Sequence, residues 1–368
     1  MCYQCDAKKL QRSSMHLHDP YELGAAGFPY STQADYRPIP PDAQGSLFDP
    51  ARLRKGYFVE EMNDGAYYVT SGAYDAMFVR TGNGVVVVDA PPLLGTNMLA
   101  AIREVTDEPV THFIYSHWHT DHVGAAGIFG SKVKYIGHDK TREILARWPD
   151  EGRPVPTDTF STEETLEVNG VKLELSYKGQ NHCEGNIFIY APKQQVLAAI
   201  DIISPGWSAF KHCDASENIR GWVEAHDQIL EYDFKSLVSG HVNRFGSRAD
   251  AIASRAYTQD ILSFSRQALQ EVDYMGLVER IGFSNVWVLW ENYFNEMTNY
   301  VTRKTLDKVT DNGQTWGQRL AGADVMTKYH AYSIIEALRL EWGEQSKLES
   351  DMTLNLRGYM DSGWVDPQ

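Results

Sequence analysis

The stretch that most restricts this chain is Ser116-His117-Trp118-His119-Thr120-Asp121-His122, which follows directly on a strand read over residues 110–115. Four candidate ligands fall within six positions. A metal site has to bring nitrogen and oxygen donors to one point on a stiff backbone. A strand that ends where the ligands begin meets that need: its end is rigid, and the loop after it folds the side chains inward. Imidazoles at the first and third places, with a carboxylate and an imidazole at the fifth and sixth, suit two adjacent cations. Such donors favour zinc, and iron or manganese fit them as well.

Three more candidate ligands stand at or just beyond other expected strands. His182 follows the strand read over residues 171–177, Asp201 closes that over 196–200, and His241 follows that over 236–239, read as the last core strand. Val85–Val88 reads as a strand buried on both faces, and it stops at Asp89. Asn83-Gly84 and Asn169-Gly170 are hairpin signals. Helices are expected over residues 97–105, 123–129, 140–148 and 217–230, alternating with strands. Residues 1–54 are polar and proline-rich towards their end, which reads as a surface arm. Residues 55–246 carry the strand–helix pattern, and residues 247–368 turn helical. There Val325, Tyr329, Tyr332, Ile335, Leu338 and Trp342 form one apolar stripe, as do Phe294, Met297 and Val301. Strands before helices in two similar halves point to a layered α/β sandwich rather than a single parallel sheet.

On His117, His119, Asp121 and His122, with His182, Asp201, His241 and Asp89, the sequence resembles the metallo-β-lactamase fold superfamily over roughly residues 57–246. The resemblance implies a four-layer αββα sandwich with a dinuclear site at one edge and a C-terminal helical extension beyond it. It implies that His117, His119 and His182 hold one zinc ion and that Asp121, His122 and His241 hold a second. Asp201 would bridge the two, and Asp89 would support the ligand loop through hydrogen bonds. The chemistry implied is hydrolysis, in which a hydroxide shared by two metals attacks an ester, thioester, lactone or lactam carbonyl and Asp121 orients the water.

No branch of the superfamily is matched throughout. The bridging position is Asp201, where the commonest true β-lactamases have a cysteine, and residues 202–207 contain no Lys or Arg to grip a lactam carboxylate. Ser204 stands where lactonase-like members carry a tyrosine. Sulfate-ester hydrolysis is an alternative, as is a mononuclear iron persulfide dioxygenase-like oxidoreductase, although a complete second ligand set argues against the latter. Asn186 and Trp207 are candidate substrate contacts, and Cys183 reads as a buried structural thiol. Trp287, Trp290, Tyr293 and Phe294 would give the substrate an apolar partner if they capped the site, though they read more readily as core.

Composition removes other classes. Lys and Arg number 34 against 49 Asp and Glu, a net charge of −15. A chain so acidic lacks the basic face that nucleic acid or an anionic membrane requires. Four cysteines are too few for a disulfide scaffold, and the Cys2/Cys5 pair has no second pair to make a zinc ribbon. With no long apolar run and no secretory leader, the expected location is cytoplasmic. The expected partner is a small-molecule substrate, and the arm and helical tail leave room for a homodimer.

Overall fold

The structure is a computed structural model that describes residues 39–282 and 284–344. Most of the expected arm, with Cys2 and Cys5, lies outside the described residues, as do residues 345–368 of the tail. A short helix α1 (Pro41–Gln44) opens the described chain.

Seven strands in sequence order then make the first sheet: β1 (Phe58–Asn63), β2 (Ala66–Thr70), β3 (Asp75–Arg80), β4 (Val85–Val88), β5 (Val110–Ile114), β6 (Lys134–His138) and β7 (Asp158–Phe160). The first four pair antiparallel through tight turns, Asn83-Gly84 among them. From β4 to β7 the pairing is parallel, because the connections run through α2 (Asn97–Val105), α3 (Thr120–Val123) and α4 (Asp139–Arg147). The second sheet contains β8 (Glu163–Val168), β9 (Val171–Ser176), β10 (Phe188–Ala191), β11 (Val196–Ala198), β12 (Ser236–Val238) and β13 (Gly246–Ser247), again in sequence order across the sheet. Only β11 and β12 are parallel in it. The turn α5 (Lys211–Ala215) and the helix α6 (Ile219–Ile229) cross between them.

The four valines of β4 show how the layers form. Val86 and Val88 face the second sheet and pack with Leu173, Ile189 and Val238, while Val85 and Val87 face outward onto Met98 and Ile102 of α2. Alternating side chains of one strand thus fill two cores, which is why the run is apolar throughout. Burying each valine contributes on the order of 1.5 kcal/mol. A third core lies on the outer face of the second sheet, where Leu197, Leu237 and Trp222 meet the C-terminal helices. These are α7 (Arg248–Glu271), α8 (Tyr274–Ile281), α9 (Val286–Asp307), α10 (Trp316–Arg319) and α11 (Ala323–Leu340). Helix α7 starts from a capping box of Ser247 and Asp250, with Asp250 also held by Arg244 at 2.7 Å. The result is the expected αββα sandwich with a helical extension.

Local readings differ in three places. The helix expected over residues 123–129 is split into α3 and a 3₁₀ turn, Ala126–Phe129, because the chain turns twice to bring the ligands inward. β7 and β13 carry too few residues to show a strand period, so residues 236–239 are not the last strand. On α11 the buried face is Ala323, Thr327, His330, Ala331, Ile334, Ile335, Ala337 and Leu338, and Tyr332 of the expected stripe is 41% exposed. This helix packs against α5, α7 and α9 at once, so small and polar residues occupy the close contacts and the large aromatics sit at its margins. Among the described residues no helix is long and apolar enough to cross a membrane.

Candidate metal centre

The parallel strands β4 and β5, with β11 and β12 in the facing sheet, end at one edge of the sandwich, and the ligands gather there. β4 ends at Asp89, β5 leads into His117, β11 leads to Asp201 and β12 to His241. Asp89 and Asp201 both leave their strands in the left-handed region, at φ 63° and 62°, which aspartate tolerates better than bulky residues do. Asp89 accepts a hydrogen bond from the Ser116 backbone N–H at 2.9 Å, and the Ala90 N–H donates to the His122 carbonyl at 2.9 Å. Those two bonds tie the ligand loop to the end of β4. Gly240 (φ 91°) is required before His241: a Cβ there would lie 2.6 Å from Ile200 and 2.9 Å from the His122 ring.

All seven residues singled out as ligands converge. Asp201 Oδ2 lies 3.1 Å from His122 Nε2, 3.2 Å from His182 Nε2 and 3.5 Å from His117 Nε2, and Asp201 Oδ1 lies 3.1 Å from His241 Nε2. His182 Nε2 is 2.9 Å from His119 Nδ1, and Asp121 Oδ2 is 3.4 Å from His122 Nε2. Ser116 Oγ contacts His117 Nδ1 at 2.8 Å, which leaves His117 Nε2 facing Asp201. Donors of His117, His119, His182 and Cys183 lie within 4.8 Å of one another, and so do those of Asp121, His122 and His241.

The residues fit metal ions. His117 Nε2, His122 Nε2 and Asp201 Oδ1 are buried and make no well-formed hydrogen bond despite their mutual approach. Their lone pairs meet at shared points, as donors do around a cation, instead of pointing at one another. Charge balance points the same way. Burial holds His117 well below the ordinary imidazole value and, with His182 nearby, lowers His119 to about 4, so this side favours neutral imidazoles ready to ligate. On the other side burial is outweighed by Asp201, which raises His241 to about 9 and His122 well above its usual value. Asp201 itself is held well below the carboxylate range, burial being overcome by these histidines. Protons there supply positive charge that metal would otherwise bring.

A cavity of about 740 Å³ opens onto the cluster. His119, Asp121, His182, Asp201 and His241 form one side, and Trp207, Ala209, Phe210, Val242, Val325 and Met326 line the rest together with small polar groups. Among the described residues, no Lys or Arg lines it. Trp207, expected as a substrate contact, is on this wall and donates from Nε1 to Ser46 Oγ at 2.6 Å. Asn186 is not. It is 2% exposed, and its amide donates to Asn181 Oδ1 at 2.9 Å and to the Ile200 carbonyl at 3.1 Å, bracing the strand end that precedes Asp201. The Trp287, Trp290, Tyr293 and Phe294 cluster does not reach the cavity either: Tyr293 is core, and Trp287 is 81% exposed. Cys183 is buried beside His182, and burial raises its thiol well above the usual range.

Four contributors were absent from the sequence reading. Tyr74, in the β2–β3 turn, sets its ring 4.8 Å from His241 and 5.4 Å from His122. Asp75 is fully buried beside them and pushed up to about 8 by burial. Ser46 comes from the end of the N-terminal segment. Asp214 comes from α5, where His212, Cys213, Asp214 and Ala215 take φ of 54°, 55°, 61° and 53°. Four left-handed non-glycine residues in a row cost about 1–2 kcal/mol each. Tyr74 and Ser46 stand in turns far from the ligand motif, and no local pattern signals four left-handed residues.

The structure is an αββα sandwich with His and Asp groups that could hold metal ions at one sheet edge. Residues 69–241 match the sequence pattern of the metallo-beta-lactamase superfamily. The chain is similar to the 2,4-dinitroanisole O-demethylase subunit alpha of Nocardioides sp. (strain JS1661), 26% identical over 200 residues, which cover 51% of this chain and 58% of that protein. It is also similar to the type 2 metallo-beta-lactamase of Bacteroides fragilis, 28% identical over 223 residues, covering 56% of this chain and 88% of that one. Among solved structures, a metallo-beta-lactamase from Pontibacter korlensis superposes with a TM-score of 0.48 at 20% identity, over 54% of this chain and 97% of that one.

Proposed function

We propose that the protein is a dinuclear metal-dependent hydrolase, suited to zinc, that opens ester, thioester or lactone carbonyls in uncharged and partly apolar substrates. One observation carries the reading: the cavity beside the ligand cluster has an apolar wall and, among the described residues, no Lys or Arg. Away from the metal positions, a carboxylate or sulfate group would lose water there without gaining a Lys or Arg among the described residues, and would face Asp121 and Asp214. The second ligand set favours two metals over the single-iron alternative.

In this reading His117, His119 and His182 hold one cation, Asp121, His122 and His241 the other, and Asp201 lies between. Bound cations lower the pKa of a water towards neutrality and polarise a carbonyl. The Asp121 side chain is 47% exposed at the cavity. Burial raises its pKa, but the hydrogen bond and charge of His122 hold it below the usual carboxylate value, so it is ionised at neutral pH and free to accept a proton from the attacking water. Trp207 and Phe210 receive the apolar part of the substrate.

A second reading has one support. The relative named for O-demethylation of 2,4-dinitroanisole, taken with the aromatic wall, makes a neutral aryl ether an alternative substrate. Both are tested by assaying zinc-loaded protein on neutral aryl esters, lactones, thioesters, an activated aryl methyl ether, β-lactams and sulfate esters. Neutral substrates should exceed carboxylate- or sulfate-bearing ones in kcat/KM by about 10–100-fold, the effect of leaving a buried charge unpaired. The opposite order would overturn the reading.

A further inference from the structure

The helical extension does more than cover the second sheet. It reaches the metal edge through α5. His330 of α11 accepts the Cys213 backbone N–H at Nδ1 (3.0 Å) and donates from Nε2 to the Ala209 carbonyl (2.9 Å), and His212 Nδ1 meets Ser333 Oγ at 3.0 Å. These bonds hold residues 212–215 left-handed and set the Asp214 side chain into the cavity. Asp214 is 8% exposed. Among the described residues its carboxylate accepts no hydrogen bond and forms no ion pair, yet one of its oxygens lies within 4.8 Å of a donor atom of Asp201 and of His241. A buried carboxylate left without a partner is costly, and a cation at the point shared with Asp201 and His241 removes that cost. Metal–ligand bonds of about 2.0–2.2 Å allow one ion to span such a group.

We propose that Asp214 is a further ligand of the second metal position, beside Asp201 and His241, and that His330 is the positioning residue that holds it there. This rests on the dinuclear reading above. It makes the C-terminal extension part of the metal centre. The strain of the left-handed turn then has a consequence: an ordinary right-handed turn would point this carboxylate elsewhere.

Full-length protein is stripped of metal and titrated with Zn²⁺ against a chromophoric chelator, as wild type, Asp214→Asn and Asp214→Gly. Asparagine tolerates the left-handed region and glycine prefers it, so both variants keep the turn and lose the carboxylate. Circular dichroism of the metal-free forms checks the fold, and the glycine variant serves if the asparagine variant fails to fold. Wild type should bind two ions. In the variants the tighter ion should bind as before and the second at least about tenfold more weakly, with glycine losing more than asparagine. The visible spectrum of the Co²⁺-loaded protein should change in its second equivalent only. His330→Ala should weaken the same ion, and His330→Gln, which keeps an acceptor and a donor, should restore part of it. Wild-type affinity for the second ion in both variants, or equal loss of both ions, would overturn the assignment of Asp214. A wild type that takes up only one ion would instead overturn the dinuclear reading.

Discussion

Two groups of buried histidines, one among the helices and one at the metal edge, differ in one respect. Among the helices, His226 of α6 bonds the Trp222 carbonyl through Nδ1 (3.0 Å) and Ser254 Oγ through Nε2 (3.2 Å), and His330 of α11 likewise uses both ring nitrogens. At the metal edge, His117 Nε2, His122 Nδ1, His122 Nε2 and His182 Nδ1 are buried without a good hydrogen-bond partner. The first group is finished by the protein alone. The second is complete only with something added, and burial by itself does not tell a ligand from a core residue.

The largest effect should come from exchanging the two kinds of residue. His182→Ala should lower kcat/KM by about 10³-fold or more, the scale lost when the group stabilising developing charge is removed. His226→Gln should leave kcat within about twofold, because that ring touches neither the cavity nor the ligands. Steady-state kinetics on metal-loaded protein with matching circular dichroism measures both. Equal losses would erase the distinction.

Acid should break the finished group. Burial lowers His226 and His330 to about 4, against an ordinary value near 6.5. Between these limits the unfolded chain binds protons that the folded one refuses, so stability falls as pH drops from about 6.5 towards 4 and is fully present above that window. Each histidine should remove up to about 3 kcal/mol by pH 4. Denaturant titrations of His226→Gln should show a shallower loss than wild type over the same window; an unchanged slope would mean that His226 is already charged in the folded protein. The metal edge should respond to zinc instead. At free zinc a hundredfold above Kd, each site adds about 2.7 kcal/mol to the stripped protein. Asp201→Ala should lose most of that gain in thermal melts, and a full zinc response would refute its place between the two ions.

The same contrast shows how far the sequence could be read. The four-valine strand and the motif from His117 to His122 were legible because their pattern is local: one follows the period of a strand, the other sits at its end. His182, Asp201 and His241 were legible only as a set in order. Asn186 also stands at a strand start, yet its amide turns inward to Asn181 and Ile200, a choice made by tertiary packing. Asp214 gave no signal at all. Nothing in Phe210–Ala215 specifies a left-handed turn; contacts from α11 hold it, with His330 standing 117 residues after Cys213 in the chain. The apolar stripe expected on α11 holds only in part: Ile335 and Leu338 are buried and Tyr332 is not, because the helix packs against several neighbours and also buries Thr327, His330 and Ala331.

The smallest effect should lie where the N-terminal segment meets the cavity. Ser46 is 5% exposed, and its hydroxyl donates to the Ala43 carbonyl at 2.6 Å while accepting from Trp207 Nε1 at 2.6 Å. This pair belongs with the finished group: every donor is matched, and neither residue touches a ligand nitrogen. Ser46→Ala therefore leaves one indole N–H unpaired at a cost of about 1 kcal/mol, and the ring that receives the apolar part of the substrate loses its tether. If Trp207 binds substrate equally before and during reaction, KM should rise about fivefold with kcat unchanged, since uniform binding alone is lost. A fall in kcat with constant KM would mean that the tether acts on the reacting atoms, and that the segment at Ser46 belongs with the unfinished half of the molecule.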